Sequence, residues 1–337
     1  MNDKSFYDFL NENVPLNSNI QKYMTVTRNK LREYERIAVS YSGGSDSDIM
    51  LDMVELVKPE DCGEIRYIFF DTGLEFDATL RHIDEVEKVY DIKIERIKAK
   101  KSIPAACKEH GIPFISKDLS DVIDRLQRHG FNWAEDFNDA HYHGRCKSAL
   151  SYFYGTRKSM YSIARLKLLK EFLCTNPPDF AISERCCDYA KKNVAKEFDK
   201  QFKPDLKVIG MRQAEGGRRA GKLQNCFTPA GENNIANYRP LWFWSDEDKQ
   251  IYKEWRGIRY SDCYEDWGFS RTGCVGCPCN SKALSELMIA RQFEPNKAKA
   301  AFAVFGKSYE YREAYKTFKG KPDGEAAEII ATLKSQV

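Results

Sequence analysis

Short apolar runs alternate with amphipathic segments from Arg36 onward. Arg36-Ile37-Ala38-Val39-Ser40-Tyr41 reads as a strand, Asp46 to Val57 as a helix, and Arg66-Tyr67-Ile68-Phe69-Phe70 as a second, buried strand. Asp77 to Tyr90 has helical periodicity, Ile92-Lys93-Ile94-Glu95-Arg96-Ile97 alternates as a third strand, and Ser120 to Arg128 is helical again. Strands separated by helices of this length predict an α/β fold with a parallel, doubly wound sheet and right-handed crossovers. The pattern resumes at Leu206-Lys207-Val208-Ile209-Gly210, another core strand, and at Tyr238-Arg239-Pro240-Leu241-Trp242. Between the third strand and the one at Leu206 lies an insert at about 130–183, helical from Ser159 to Cys174. Past Asn280 three or four short amphipathic helices are expected, with a turn at Gly320-Lys321-Pro322-Asp323-Gly324. The expected organisation is an N-terminal helical segment (1–35), an α/β domain carrying the insert (36–280) and a helical C-terminal region (281–337).

At 337 residues and 42% hydrophobic content the chain can fill a sizeable core. Its 53 Lys+Arg against 50 Asp+Glu give net charge no role in attracting a polyanion or a membrane. The N-terminus Met1-Asn2-Asp3-Lys4-Ser5-Phe6 lacks a signal core, and no apolar run of about eighteen residues occurs. A cytoplasmic protein without a membrane partner is expected. One region departs from the balance: His141 to Lys170 holds seven Lys or Arg and no acid, interleaved with Tyr142, Tyr152, Phe153, Tyr154 and Tyr161. Such a segment is either a solvated helical face with its aromatics turned to the core, or a footprint for RNA or DNA in which tyrosines stack on bases.

The first strand ends in Tyr41-Ser42-Gly43-Gly44-Ser45-Asp46-Ser47, and a helix follows at once. Glycines admit phosphates to the backbone, hydroxyls and N–H groups donate, and a helix N-terminus favours anions, so the turn is a candidate phosphate cradle. Asp46 and Ser47 equally suit helix capping. The string Ser-Gly-Gly-x-Asp-Ser after a first strand resembles the PP-loop of ATP pyrophosphatases, and it is not Walker A because no Gly-Lys-Ser/Thr follows. Many members of that family carry Lys where this chain has Ser45, so no lysine reaches the phosphates from that position. After the second strand, Asp71-Thr72-Gly73-Leu74-Glu75-Phe76 and Thr79 are similar to the Asp-Thr-Gly-x-x-Phe-x-x-Thr segment of sulfonucleotide reductases. The position of this segment at a neighbouring strand's carboxyl end puts it on the ligand edge. Asp71 is then a candidate for orienting ribose, water or Mg²⁺, unless the segment is simply a helix N-cap.

Eleven cysteines make an odd-numbered, poorly spaced disulfide framework, and clusters in a reducing compartment more often serve metal or redox chemistry. Cys62, Cys107 and Cys174 stand alone and read as small buried hydrophobes. Cys186-Cys187 and, 86 residues further, Cys274-Val275-Gly276-Cys277-Pro278 are different. A lone Cys-x-x-Cys serves equally as zinc knuckle or redox pair, but adjacent cysteines do not make the usual zinc hairpin, whereas a cubane offers separate iron corners. The arrangement resembles the Cys-Cys…Cys-x-x-Cys of adenylyl-sulfate reductases, which implies a [4Fe–4S] cluster on Cys186, Cys187, Cys274 and Cys277; Cys146 and Cys279 are either substitute ligands or extra thiols. Lys191, four residues after Cys187, is similar to a lysine of that family lying between cluster and nucleotide, and on a helix the two would share a face.

Met211-Arg212-Gln213-Ala214-Glu215-Gly216-Gly217-Arg218-Arg219-Ala220 follows the fourth strand. Arginines on a glycine loop fork onto phosphate or sulfate oxygens, or form a solvated basic loop. The string resembles the substrate loop of phosphoadenylyl-sulfate reductases, with Arg212 and Arg219 at its arginines and Gly216 where a serine is usual. Pro240-Leu241, Trp244, Tyr252, Tyr264, Gly268, Arg271 and Gly273 fall in that family's order, so the resemblance spans about 36–128 and 180–280. It implies binding of ATP, adenylyl sulfate or phosphoadenylyl sulfate, with Mg²⁺, by Ser42, Gly43, Gly44, Ser45, Asp46, Ser47, Asp71, Thr72, Gly73, Gly210 and Arg212. Asp46, Asp71, Lys191, Arg212 and Arg219 are the expected catalytic groups. True reductases attack with a C-terminal cysteine, and none follows Cys279. The expected activity is therefore nucleotide activation coupled to sulfur transfer, with a sulfur-donor protein and a nucleic-acid acceptor as candidate partners. The alternatives are a genuine reductase using Cys279, Cys263 or Cys226, and a non-catalytic nucleotide sensor.

Overall fold

The computed structural model describes residues 2–133, 146–156, 162–216, 223–232 and 234–336. Two compact units are woven from separate stretches of chain. Met1–Asp71, Asp77–Ile97 and Val194–Thr272 make the first, and Thr72–Phe76, Lys98–Asn193 and Gly273–Val337 the second.

In the first unit, helices α1 (Asp3–Asn13) and α2 (Ser18–Arg32) precede strand β1 (Arg36–Ser40), helix α3 (Ser45–Val57), strand β2 (Glu64–Asp71), helix α4 (Asp77–Tyr90) and strand β3 (Ile94–Lys98). Helix α5 (Asn193–Phe202), strands β4 (Leu206–Ile209), β5 (Phe227–Thr228) and β6 (Ala236–Tyr238), and helix α6 (Asp246–Arg256) complete it. The sheet runs β3-β2-β1-β4-β6-β5. Val39 stands opposite Tyr67 of β2 and Val208 of β4, both pairings parallel, and β4 pairs in parallel with β6. Only the short β5 is antiparallel, against β6. Both faces of β1 are covered, as a parallel sheet requires: Ile37 and Val39 enter the main core, while Ala38 and Ile68 meet Phe198 and Phe202 of α5. The doubly wound α/β sheet is thus the observed fold. The last expected strand, Tyr238 to Trp242, instead ends at Tyr238, because Pro240 has no N–H for a ladder and the chain turns there with Trp242 N donating to Arg239 O at 3.1 Å.

Helix α3 is buried from Ser45 through Val54 and carries polar groups into the core that must find partners. Asp52, 2% exposed, accepts from Tyr90 (2.8 Å), Tyr252 (2.7 Å) and both Nε and Nη2 of Arg256 (2.9 and 3.1 Å). Asp48 accepts from Tyr41 at 2.6 Å and lies 3.0 Å from His82 Nε2. These two carboxylates tie α3 to α4, α6 and the end of β1.

The second unit is helical. Helices Ile103–His110, Lys117–Arg128, Lys147–Tyr154 and Lys167–Thr175 surround a core of Phe114, Leu126, Phe153, Phe172 and Ile182. After residue 280 three helices follow, Ala283–Phe293, Pro295–Phe318 and Gly324–Lys334, the middle one 24 residues long where short helices were expected. Its Tyr311 ring lies 4.9 Å from Phe172 and 5.0 Å from Phe114. Of the basic insert, His141, Tyr142, Arg145, Arg157, Lys158 and Tyr161 lie outside the described residues. Phe153 is buried, Tyr152 and Tyr154 pack on the same core, and Lys147, Arg165 and Lys167 are exposed. No helix among the described residues is long and apolar enough to cross a membrane.

Asp52→Ala would strand three donor side chains around a buried position, and denaturant titration should show a loss of about 3–5 kcal/mol. Asp52→Asn, which keeps an accepting oxygen, should lose less.

Candidate functional site

The chain leaves β1 through α3 for β2 and later returns to β4 on the opposite flank of β1. That reversal opens a crevice at the carboxyl ends of β1 and β4, where α/β sheets hold ligands. Ser42 to Ser47 and Gly210 to Arg212 both emerge there. Gly43 has φ +66°, and a Cβ on it would come within 2.6 Å of Thr79 Cγ2, so only glycine fits. Ser47 Oγ locks the turn from inside: it receives Gly44 N and Ser42 Oγ, both at 3.0 Å, and donates to Gly44 O at 2.7 Å. A Cβ on Gly44 would lie 3.2 Å from Tyr264 Oη, the hydroxyl that accepts from Thr272 N at 3.0 Å. On Gly210 a Cβ would lie 3.0 Å from Asp46 O and 3.1 Å from Ser47 Cα, so a bare backbone there lets β4 run close under the head of α3.

Asp46 is the electrostatic centre of this turn. Arg212 Nε reaches its Oδ2 at 3.0 Å and Lys249 Nζ, from α6, its Oδ1 at 2.6 Å. Lys249 Nζ also donates to Ser45 Oγ at 2.6 Å, and Arg212 Nη1 pairs with Asp246 at 2.8 Å. Burial pushes the Asp46 carboxyl up, but Lys249 and Arg212 outweigh it and hold the group below its ordinary value of 3.8. Asp71 ends β2 on the same sheet edge. Arg219 lies outside the described residues.

The second unit gathers the thiols. Cys186 and Cys187, 3% and 9% exposed, occupy the helical turn Arg185–Cys187, which continues as a π-helical turn over Asp188–Lys192. Cys107 stands beside Cys186, and Cys279 beside Cys277. The Cys274-Val275-Gly276-Cys277 loop closes with Cys277 N donating to Cys274 O at 3.2 Å, and Tyr309 Oη donates to Gly276 O. Val275 N donates to Leu74 O at 2.9 Å, joining the loop to residues 72–76. In that segment Glu75, buried, receives Thr72 N (3.0 Å), Thr72 Oγ1 and Leu74 N (3.1 Å), and Thr72 Oγ1 lies 3.8 Å from Cys274 Sγ. Thr72 therefore sits, with Gly73 next to it, in a turn that braces the cysteine loop. The ammonium of Lys191 neighbours Cys274, Cys187 and Glu75, and that of Lys117 neighbours Cys187, Cys277 and Cys279. Burial pushes Lys117 down but the sulfurs beside it outweigh that, and Cys274 raises Lys191 against its burial. A hydrogen bond from Cys279 holds Cys277 down to about 7, whereas burial pushes Cys274 up to about 11. Among the described residues no three Cys, His, Asp or Glu side chains close on a single metal ion.

A family model for the phosphoadenosine phosphosulfate reductase domain matches residues 36–125 and 146–280. The chain belongs to that family. An uncharacterized protein of Methanocaldococcus jannaschii is 26% identical over 249 residues, which are 73% of this chain and 37% of that protein. The chain spans less than half the length of the curated relatives it matches. Among solved structures, the phosphate complex of phosphoadenylyl-sulfate reductase from Candida auris is 16% identical with a TM-score of 0.40, covering 81% of this chain and 96% of that one. The U34-tRNA thiolase NcsA from Methanococcus maripaludis with its [4Fe-4S] cluster is 12% identical with a TM-score of 0.36, covering 88% of this chain and 79% of its own.

The stretches matched to the reductase family contain the turn, Arg212 and all four clustered cysteines, and also residues that sequence reasoning passed over. Lys249 lies 204 residues from Ser45, and no local pattern connects the two. Lys117 opens a helix behind the N-cap Ser116 and looks like any first-turn lysine. Glu75 was legible only as part of a string, not as the acceptor that shapes it.

Because Asp46 is held below its ordinary value, its contribution to stability is present above pH 3.8 and is lost as pH falls through the lower folded value. Wild type and Asp46→Asn should therefore differ fully in urea midpoint near neutrality and converge in acid below that value.

Proposed function

We propose that this member of the phosphoadenosine phosphosulfate reductase family is an enzyme that activates an acceptor with an adenine nucleotide and transfers sulfur, with a [4Fe–4S] cluster on Cys186, Cys187, Cys274 and Cys277. The observation that carries the reading is the Ser42–Ser47 turn, locked by Ser47 and glycine-lined, at the crevice between β1 and β4. The glycine-lined backbone of the turn and the dipole at the head of α3 favour the phosphates of ATP or an adenylyl nucleotide there. An acceptor oxygen then attacks the α-phosphorus, the bond to the bridging oxygen breaks, and pyrophosphate leaves with the electron pair. Arg212 faces this charge, and Arg219 is assigned the same role. Asp46 has both oxygens held by cations, so the carboxylate assigned to nucleotide-bound Mg²⁺ is Asp71.

The thiols suit a cluster by their surroundings. Lys117 and Lys191 set ammonium groups beside these sulfurs, an environment that favours thiolates. A cubane takes one thiolate at each iron, so its ligands need not converge on one point as a single ion requires. Bound there, the cluster would supply electron or sulfur handling. For a nucleic-acid acceptor, the described part of the insert offers exposed Lys147, Arg165 and Lys167, but its aromatic rings are committed to the core. Sulfonucleotide reduction is the second reading, favoured by the family itself; Cys263 is fully buried beside Thr79 and is a poor attacking thiol for it.

Protein purified without oxygen should be brown with about four irons per chain, and Cys186→Ser or Cys277→Ser should bleach it. Stoichiometric zinc without iron would refute the cluster. Gly44→Val should abolish ATP binding, since its side chain would crowd Tyr264 and Ser42 and push the turn off its shape; undiminished affinity would reduce the turn to a structural one.

A further inference from the structure

We infer that Lys249 is the phosphate-binding lysine of this chain, delivered from α6 to the position that Ser45 leaves empty at the head of α3, where it would contact the β- and γ-phosphates of a nucleoside triphosphate. The inference rests on the nucleotide reading above and adds to it the residue that supplies the charge. Ser45 and Asp46 are the first two residues of α3. Lys249 Nζ stands 2.6 Å from the Ser45 hydroxyl and 2.6 Å from Asp46 Oδ1, so the ammonium occupies the place a lysine side chain at 45 would sweep. Only 16% of its side chain is exposed, and the Tyr260 ring lies 5.4 Å from Nζ, which fixes the approach from α6.

A structural salt bridge alone is an awkward explanation. The N-terminus of a helix is its positive end and disfavours a cation, while Asp46 already has Arg212 at 3.0 Å. Arg212 is matched by Asp246 as well, so Lys249 shares the Asp46 carboxylate at the end of α3 where a cation is otherwise least welcome. Ammonium has three donors, and Ser45 and Asp46 take two of them. Asp46 acts here as the tether that aims the lysine, and Ser45, being small, leaves it room.

The test uses the full-length chain and titration calorimetry with three probes: ATP, inorganic pyrophosphate and AMP. Lys249→Gln should weaken ATP and pyrophosphate by roughly 10- to 100-fold, the worth of one charge-assisted hydrogen bond, and leave AMP affinity unchanged. In Ser45→Lys/Lys249→Gln the charge returns from the other side of the same spot, and ATP affinity should recover. Equal losses for ATP and AMP would make Lys249 a brace for the turn and overturn the inference. Wild-type affinity for ATP in Lys249→Gln would overturn it too, while leaving the nucleotide reading intact. Failure of the wild-type protein to bind ATP would instead sink that reading, and this inference with it. Should the double variant not fold, the contrast between ATP and AMP in the single variant decides alone.

Discussion

Strand β1 has a parallel neighbour on each side, and the crevice at the sheet's carboxyl edge depends on that pairing. Parallel partners send their carboxyl ends to one edge, so the segments after Ser40 and Ile209 must emerge side by side. Connections on opposite flanks keep the crevice between them open instead of filling it with a crossover. The close spacing then dictates composition. Where β4 passes the head of α3, a single Cβ on Gly210 would crowd the Asp46 carbonyl, and where the turn meets α4, one on Gly43 would strike Thr79. Glycine at these two positions follows from strand order as much as from any ligand.

Charge is organised around the same helix at two depths. At its first turn Asp46 sits where the dipole welcomes a carboxylate, and its two cations come from β4 and α6, far apart in sequence. Deeper, Asp52 is the acceptor for α4 and α6 at once. Asp46 fixes the turn at the sheet edge and Asp52 holds the scaffold behind it. In the second unit Glu75 does for the cysteine loop what Ser47 does for the glycine turn, saturating backbone donors so that a short irregular segment keeps one shape.

Much of the sheet was legible because parallel strands buried on both faces are continuous apolar runs, and helix Asp77–Tyr90 has the boundaries that its periodicity predicts. The helix Ile103–His110 went unread: eight residues are too few for periodicity, although Ser102 at its N-cap, Pro104 in its first turn and Gly111 at its end all mark it. Motif residues were recognisable because their chemistry is local. Lys249, Lys117 and Glu75 were not, because each matters through a partner brought to it by the fold. Cys107, read as a lone hydrophobe, lies against Cys186 for the same reason.

Neither unit is a continuous piece of chain, and this has a consequence on the ribosome. The sheet cannot complete itself when β1 to β3 have emerged, since β4 and β6 come more than a hundred residues later. The thiols wait as well: 86 residues separate Cys187 from Cys274, and at about 5–20 residues per second the first pair spends roughly 4–17 seconds outside before the second is made. During that interval an adjacent pair of thiols has no loop to cover it and is open to oxidation. The four clustered thiols can therefore come together only once the Cys274–Cys277 loop has been made.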